Sequence, residues 1–260
     1  MPYFVNDGLR LHYEVHGNGQ PVLLLHGGTV SFEHNYANFG WIKRLNASGM
    51  QVIGLDFRGH GKSDKPHNIE SYGTTNLASD VVALQEHLNL TCTALIAYSI
   101  GTAVALYLLH ESPQRFSRAA LVATGDGLIG FPPYIFSEVI PTIALVLDRT
   151  EYPTDLPPQL ATYWNIIQQT GADHMALLAF SKSNFPPLSV EEAANISVPT
   201  LVVSGTKDLV LGCGPRLAAA LGQGQYFEVE EADHFSLSRK LKVQAAVVSF
   251  IVTESAKSQQ

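Results

Sequence analysis

The chain of 260 residues is 46% hydrophobic and 15% charged, which predicts a folded domain with an ample core rather than a disordered chain. Its formal net charge is −7 and Lys and Arg form no cluster, so we expect neither nucleic acid nor an anionic membrane surface as a partner. The sequence shows no signal-peptide pattern and no apolar stretch able to span a bilayer, which favours a cytoplasmic location.

The first half of the chain alternates predicted strands with predicted helices. The segments "YFV" and "LRLHYEVHG", joined by the turn "NDG", predict a β-hairpin. Short apolar runs, typical of strands buried on both faces, follow at 21–28, 51–57, 93–99 and 118–125. Helical patterns lie between them at 33–47, 74–90 and 100–112.

The alternation stops at Gly127 and resumes near residue 198. Residues 127–187 contain no convincing strand and hold helical stretches separated by prolines. Two strand-and-helix pairs then complete the chain, with strands at 198–205 and 225–230 and helices at 213–221 and 237–255. This order predicts an α/β fold, a mostly parallel eight-stranded sheet with helices on both faces. We therefore predict a core domain formed by 1–126 and 188–260, and a helical cap, 127–187, inserted into it.

The strand at 93–99 leads into "AYSIG", which differs by one residue from the G-x-S-x-G pattern of a nucleophile elbow. Ser99 would lie at the carboxyl end of a parallel strand, where ligands bind in such sheets. A sharp turn there needs small neighbours, and Gly101 and Ala97 both meet that need. The turn would also direct the backbone N–H of Ile100 toward a developing oxyanion. Taken alone, Ser99 could equally be a buried strand-end hydroxyl.

A nucleophilic serine needs a base and an acid that orients the base. In this type of sheet the acid follows a late strand and the histidine follows the last one. Asp208 in "GTKDLV" follows the strand at 198–205, and His234 in "ADHFS" follows the strand at 225–230. Ser99, Asp208 and His234 thus occur in the expected chain order, each at a strand carboxyl end.

With these residues the chain resembles the α/β-hydrolase-fold serine hydrolases over almost its full length, especially the branch of small carboxylesterases, carrier-protein esterases and enol-lactone hydrolases. The segments "LLLHGG", "DFRGHGKSD" and "PTLVVSGTKD" carry the likeness together with the elbow. The resemblance implies Ser99 as nucleophile, His234 as general base and then acid, and Asp208 as the residue that orients it. It also implies an oxyanion hole formed by the backbone N–H groups of Gly28 and Ile100.

Alternatives stay open at several of these positions. Asp126, which follows the strand at 118–125, could replace Asp208 as the acid, although we favour Asp208. Thr29 competes with Gly28 as the oxyanion donor, and Gly28 could instead be a structural turn residue. Ala97 departs from the common elbow but occurs in the A-x-S-x-G lipases of the same fold. We expect the following polar residues to hold loops: His26, Arg58, His60, Ser63 and Asp64.

The predicted cap carries few charges and many aromatic side chains, which favours a substrate with a largely apolar acyl or alcohol group. The aromatic residues considered for the pocket are Phe131, Tyr134, Phe136, Tyr152, Tyr163, Trp164, Phe180 and Phe185. We predict an esterase acting on a small-molecule ester; a lactonase, a carbon–carbon bond hydrolase or a receptor with vestigial activity are the alternatives.

No cofactor or metal is expected, because the histidines form no zinc motif and no complete nucleotide-binding glycine motif occurs. The two cysteines, Cys92 and Cys213, lack C-x-x-C spacing, and we expect both to be small apolar filler residues. The oligomeric state is left open by the sequence.

Overall fold

The computed structural model describes residues 2–131, 144, 146–147, 151, 154–155 and 158–253. Its strands are β1 (Tyr3–Asn6), β2 (Leu9–His16), β3 (Gln20–Leu25), β4 (Met50–Leu55), β5 (Thr93–Tyr98), β6 (Phe116–Val122), β7 (Thr200–Gly205) and β8 (Gly224–Val229). They form one sheet in the order β1-β2-β4-β3-β5-β6-β7-β8. β2 is antiparallel to both β1 and β4, and all other neighbours are parallel. The predicted mostly parallel sheet of eight strands is confirmed.

Helices cover both faces of the sheet. They are α1 (Phe32–Asn35), α2 (Trp41–Ala47), α3 (Thr74–His87), α4 (Ile100–Glu111), α5 (Pro158–Thr170), α6 (His174–Ser181), α7 (Val190–Ala194), α8 (Pro215–Ala220) and α9 (Leu241–Val252). Successive residues of the central strands point to opposite faces, so that Leu24 joins the apolar cluster with α1, α2 and α9, and Leu25 joins the cluster with α3, α4 and α8. The uniform apolar runs of the sequence reflect this burial on both sides.

One predicted helix is interrupted and one prediction about side chains is wrong. The pattern at 33–47 forms two helices, because Gly40 adopts a left-handed conformation with φ of 81° between a 3-10 turn and α2. Cys92 and Cys213 are exposed rather than buried filler residues. Both lie in connections that run over the surface, one before β5 and one before α8.

The segment between β6 and β7 packs onto the sheet domain through α5 and α6. Its described residues include no strand, and the side chains of Tyr163, Leu177 and Phe180 join the same apolar cluster as Ile100 of α4. The division into a core and a cap at 127 and 187 stays a prediction. Three of the aromatic residues considered for the pocket, Tyr134, Phe136 and Tyr152, lie outside the described residues.

The loop after β4 is fixed by buried charges. Arg58 donates to both carboxylate oxygens of Asp80 on α3, at 2.6 and 2.7 Å, and both side chains are buried. Asp56 accepts hydrogen bonds from His12 Nδ1 and the Phe32 backbone N–H, both at 2.9 Å. Burial alone would raise the pKa of Asp56, but these hydrogen bonds lower it to about 2. These polar groups keep the loop in place at the edge of the sheet where the strands end.

No helix within the described ranges is long and apolar enough to cross a membrane.

Candidate active site

Ser99 lies on a sharp turn between the end of β5 and the start of α4. Its backbone is strained, with φ of 53° and ψ of −123°, a conformation that costs a non-glycine residue about 1–3 kcal/mol. A Cβ atom at Gly101 would lie 2.8 Å from the His26 carbonyl oxygen and 2.9 Å from that of Leu25, so only glycine fits there. Ala97 is fully buried in β5. The local sequence therefore permits this turn, because the residues two positions before and two positions after Ser99 are small.

A continuous row of hydrogen bonds joins Ser99, His234 and Asp208. Ser99 Oγ lies 2.8 Å from His234 Nε2, and His234 Nδ1 lies 2.8 Å from Asp208 Oδ2. The other carboxylate oxygen of Asp208 accepts the backbone N–H groups of Val210 and Leu211, each at 2.9 Å. All three side chains are buried. Since an ionised carboxylate can only accept, Nδ1 holds the imidazole proton and Nε2 offers its lone pair to the serine hydroxyl.

Asp126, the alternative acid, lies elsewhere in the structure. Its Oδ1 atom accepts the backbone N–H of Leu217 in the first turn of α8, at 2.9 Å. The carboxylate is buried and serves a helix N-terminus, where backbone N–H groups lack partners within the helix. Asp208 is therefore the carboxylate in hydrogen-bond contact with His234.

Two long-range hydrogen bonds hold the loop that carries His234. The hydroxyl of Tyr98, next to Ser99, donates to the His234 carbonyl oxygen. The indole N–H of Trp41 on α2 donates to the Ser238 carbonyl at 2.9 Å. Burial, reinforced by the negative charge of Asp208, raises the pKa of Tyr98, so its phenol stays a donor. Sequence patterns do not reveal either contact, because the partners lie far apart along the chain.

The loop after β3 is held by side chains on two sides. The Gly27 N–H donates to Asn35 Oδ1 at 2.8 Å. His26 donates from Nδ1 to the Gly27 carbonyl at 2.7 Å and accepts the Phe57 N–H at Nε2 at 3.0 Å. Burial lowers the pKa of His26, which keeps the ring neutral, so that it can donate at Nδ1 and accept at Nε2. His26 thus holds the loop, as expected.

Gly28 reaches the first residue of the helix that begins beside Ser99. A Cβ atom placed on Gly28 would lie 3.7 Å from Ile100 Cγ2, so the two residues are neighbours across the site. Thr29, the alternative donor, follows Gly28 with a left-handed backbone, φ 65°. Gly28 and Ile100, whose backbone N–H groups are the predicted oxyanion donors, therefore lie close together.

A cavity of about 220 Å³ opens above these residues. Its apolar lining includes Tyr163 and Ile166 of α5 and Phe235 after His234. The remaining described lining is partly polar and includes His34, Asn35, Asn38, Gln169, Thr170 and Arg239. Of the aromatic residues considered, Tyr163 lines the cavity, whereas Phe180 and Phe185 are buried in the apolar cluster behind it. No three His, Cys, Asp or Glu side chains in the described part of the chain converge as metal ligands would.

The comparisons with known proteins agree with this architecture. Residues 20–144 match the family described as alpha/beta hydrolase fold. A non-heme chloroperoxidase from Streptomyces lividans is 28% identical, covering 90% of this chain and 92% of its own length. The enol-lactonase from Burkholderia xenovorans LB400 superposes with a TM-score of 0.72 and 25% identity over 97% of this chain and all of that one. Est816, described as an N-acyl homoserine lactone degrading enzyme, gives a TM-score of 0.69 and 25% identity over 96% of this chain and all of its own.

Proposed function

Because this chain has the α/β-hydrolase fold, we propose that it hydrolyses carboxylic esters through Ser99, His234 and Asp208. The observation that carries the proposal is the hydrogen-bonded row from Ser99 Oγ through the imidazole of His234 to the Asp208 carboxylate. Ser99 and His234 line a cavity large enough for a small ester. A serine hydroxyl with a base in contact, and an acid that orients the base, has the arrangement of an acyl-transfer nucleophile.

The proposed reaction proceeds in two halves. Ser99 Oγ attacks the ester carbonyl while His234 Nε2 takes its proton, and the backbone N–H groups of Gly28 and Ile100 stabilise the oxyanion. The alcohol leaves with the proton from His234, so that an acyl-serine remains. Water, deprotonated by the same nitrogen, then releases the acid and restores the serine. Asp208 stays ionised and stabilises the imidazolium in both halves.

The lining of the cavity supports a small and mostly apolar substrate. Tyr163, Ile166 and Phe235 line the cavity together with His234, and burial raises the pKa of Tyr163 so that it stays uncharged. An apolar acyl or alcohol group would exchange water for these side chains favourably. The proposed partner is therefore a small-molecule ester, and the proposed location is the cytoplasm.

A lactone is the second candidate substrate, because two of the structures that resemble this chain are described as an enol-lactonase and a lactone-degrading enzyme. A lactone is a cyclic ester, so the same steps open it without any change in the residues. The name of the chloroperoxidase relative adds halide oxidation as an activity to assay beside these two.

Covalent labelling with a fluorophosphonate probe, followed by turnover of 4-nitrophenyl butyrate and a lactone panel, tests the proposal. We expect the wild type to be labelled and active, and Ser99→Ala to be neither. Ser79→Ala, which removes an exposed hydroxyl on α3, is the matched control and should behave as the wild type. Turnover by Ser99→Ala would refute the assignment, and labelling without turnover of any ester or lactone would favour a receptor.

A further inference from the structure

A second, smaller cavity adjoins the catalytic one. It measures about 40 Å³ and shares Thr29, Val30, His34 and Thr170 with the larger cavity. Its remaining walls come from Ser31, from the loop after β4, which contains His60, and from the connection between α5 and α6. A cavity needs about 10–15 Å³ of such volume to hold one water molecule, so this space takes a small group.

His60, one of the residues that line this small cavity, has an unused hydrogen-bond acceptor. The side chain is 3% exposed, and its Nδ1 donates to the Arg58 carbonyl at 3.0 Å. Burial, together with the nearby His26 ring, lowers the pKa of His60 to about 3. The ring is therefore neutral, with its proton on Nδ1 and a lone pair on Nε2. That Nε2 atom is buried and has no hydrogen-bond partner.

Thr29, which lines the same cavity, has a second unused group. Its side chain is 4% exposed, and its Oγ1 atom is also buried without a partner. The residue is β-branched, yet its φ is 65°, a conformation that such residues rarely adopt. A strained backbone and an unsatisfied buried hydroxyl, in a residue that lines a pocket, are typical of a functional position.

The cavity is not suited to an anion. The ammonium group of Lys65, the one cation among its described lining residues, already donates to the carbonyl oxygens of Gly61 and Ser63, each at 2.8 Å. His60 is uncharged at neutral pH. One acceptor and one hydroxyl together complement a hydroxyl group, which can donate to His60 Nε2 and accept from Thr29 Oγ1.

We propose that the Thr29–His60 cavity is a polar subsite that recognises a hydroxyl group of the substrate. This inference rests on the proposed ester hydrolysis and narrows its substrate class to hydroxylated esters. Thr29 directly follows Gly28, the proposed oxyanion donor, so the recognised hydroxyl lies close to the scissile carbonyl. The larger cavity holds the apolar remainder of the molecule.

Three esters of similar size test the subsite: ethyl butyrate, ethyl 3-hydroxybutyrate and 2-hydroxyethyl butyrate, each followed with a pH indicator. We expect kcat/KM for one of the hydroxylated esters to exceed that for ethyl butyrate about 10-fold, the effect of two ordinary hydrogen bonds. The preferred ester also tells whether the hydroxyl belongs to the acyl or to the alcohol part.

Two variants remove the proposed contacts one at a time. Thr29→Val replaces the hydroxyl by a methyl group, and His60→Asn keeps a donor for the Arg58 carbonyl but lacks the distal acceptor. Each should bring the ratio of kcat/KM for the preferred hydroxylated ester to kcat/KM for ethyl butyrate towards 1. Thr29→Ser and the exposed control Thr75→Val should keep the wild-type ratio. If His60→Asn does not fold, Thr29→Val and Thr29→Ser decide the matter.

Equal kcat/KM values for all three esters in the wild type would overturn the subsite, and the cavity would then hold only water. A ratio unchanged by both Thr29→Val and His60→Asn would overturn it as well. Failure to hydrolyse any of the three esters, with no fluorophosphonate labelling, would instead refute the proposed function and this inference with it.

Discussion

The hydrogen bonds of Asp208 determine what an Asp208→Asn variant would do. In the native side chain Oδ1 accepts the N–H groups of Val210 and Leu211, and Oδ2 faces His234. Only the oxygen of an asparagine amide can accept from those two N–H groups, so the amide nitrogen is left facing Nδ1 of His234. It would donate to that atom and shift the imidazole proton to Nε2. The base would then have no lone pair for the proton of Ser99.

We expect kcat for 4-nitrophenyl butyrate to fall about 10,000-fold in Asp208→Asn, equivalent to about 5.5 kcal/mol in the barrier. The matched control is Asp126→Asn, because its amide oxygen can still accept the Leu217 N–H and no reacting group touches it. That control should keep kcat within about 3-fold of the wild type. The reasoning fails if Asp208→Asn retains a tenth of wild-type kcat, or if Asp126→Asn loses as much activity.

Two further predictions concern stability, both measured by urea unfolding. Gly101→Ala should lower the free energy of unfolding by about 1–3 kcal/mol, because its Cβ would lie 2.8 Å from the His26 carbonyl oxygen. Gly28→Ala, whose Cβ would have its nearest contacts at 3.7 Å, should lower it much less. Equal losses in the two variants would contradict the packing argument. Burial lowers the pKa of His60 in the folded protein to about 3 from its ordinary value of 6.5, so its contribution to stability is complete above pH 6.5 and is lost as the pH falls toward 3. Between pH 6 and pH 4, His60 should make the free energy of unfolding rise by about 1.4 kcal/mol per pH unit. The free energy of unfolding of His60→Asn should depend less steeply on pH. The same pH dependence in both proteins would refute the lowered pKa of His60.

The sequence locates much of the site because strand ends can be recognised from it. Ser99, Asp208 and His234 each follow a short apolar or alternating run, and the carboxyl ends of parallel strands meet at one edge of the sheet. Gly101 and Ala97 are identifiable from the steric needs of the turn alone. Choosing between Asp208 and Asp126 is different, because both follow buried strands. Only the fold shows which of the two carboxylates contacts the imidazole.

Features that depend on distant partners or on backbone conformation escape sequence patterns. Tyr98 and the His234 carbonyl are 136 residues apart, and Trp41 and the Ser238 carbonyl are 197 residues apart. Gly40 interrupts a helical pattern whose apolar spacing continues across it. The small cavity beside Thr29 could not be foreseen, because it forms where three separate segments of the chain meet. The chemical roles of the site residues stay predictions until the variants are assayed.

The hydrogen bond from Trp41 to the Ser238 carbonyl also gives the protein an internal optical probe. The chain has two tryptophans: Trp41 is fully buried beneath the loop of His234, and Trp164 is half-buried on α5, the helix that lines the catalytic cavity. Their emission therefore reports on two different walls of one site. With Trp164 replaced by phenylalanine, the remaining indole would signal movement of the histidine loop alone, without any attached dye.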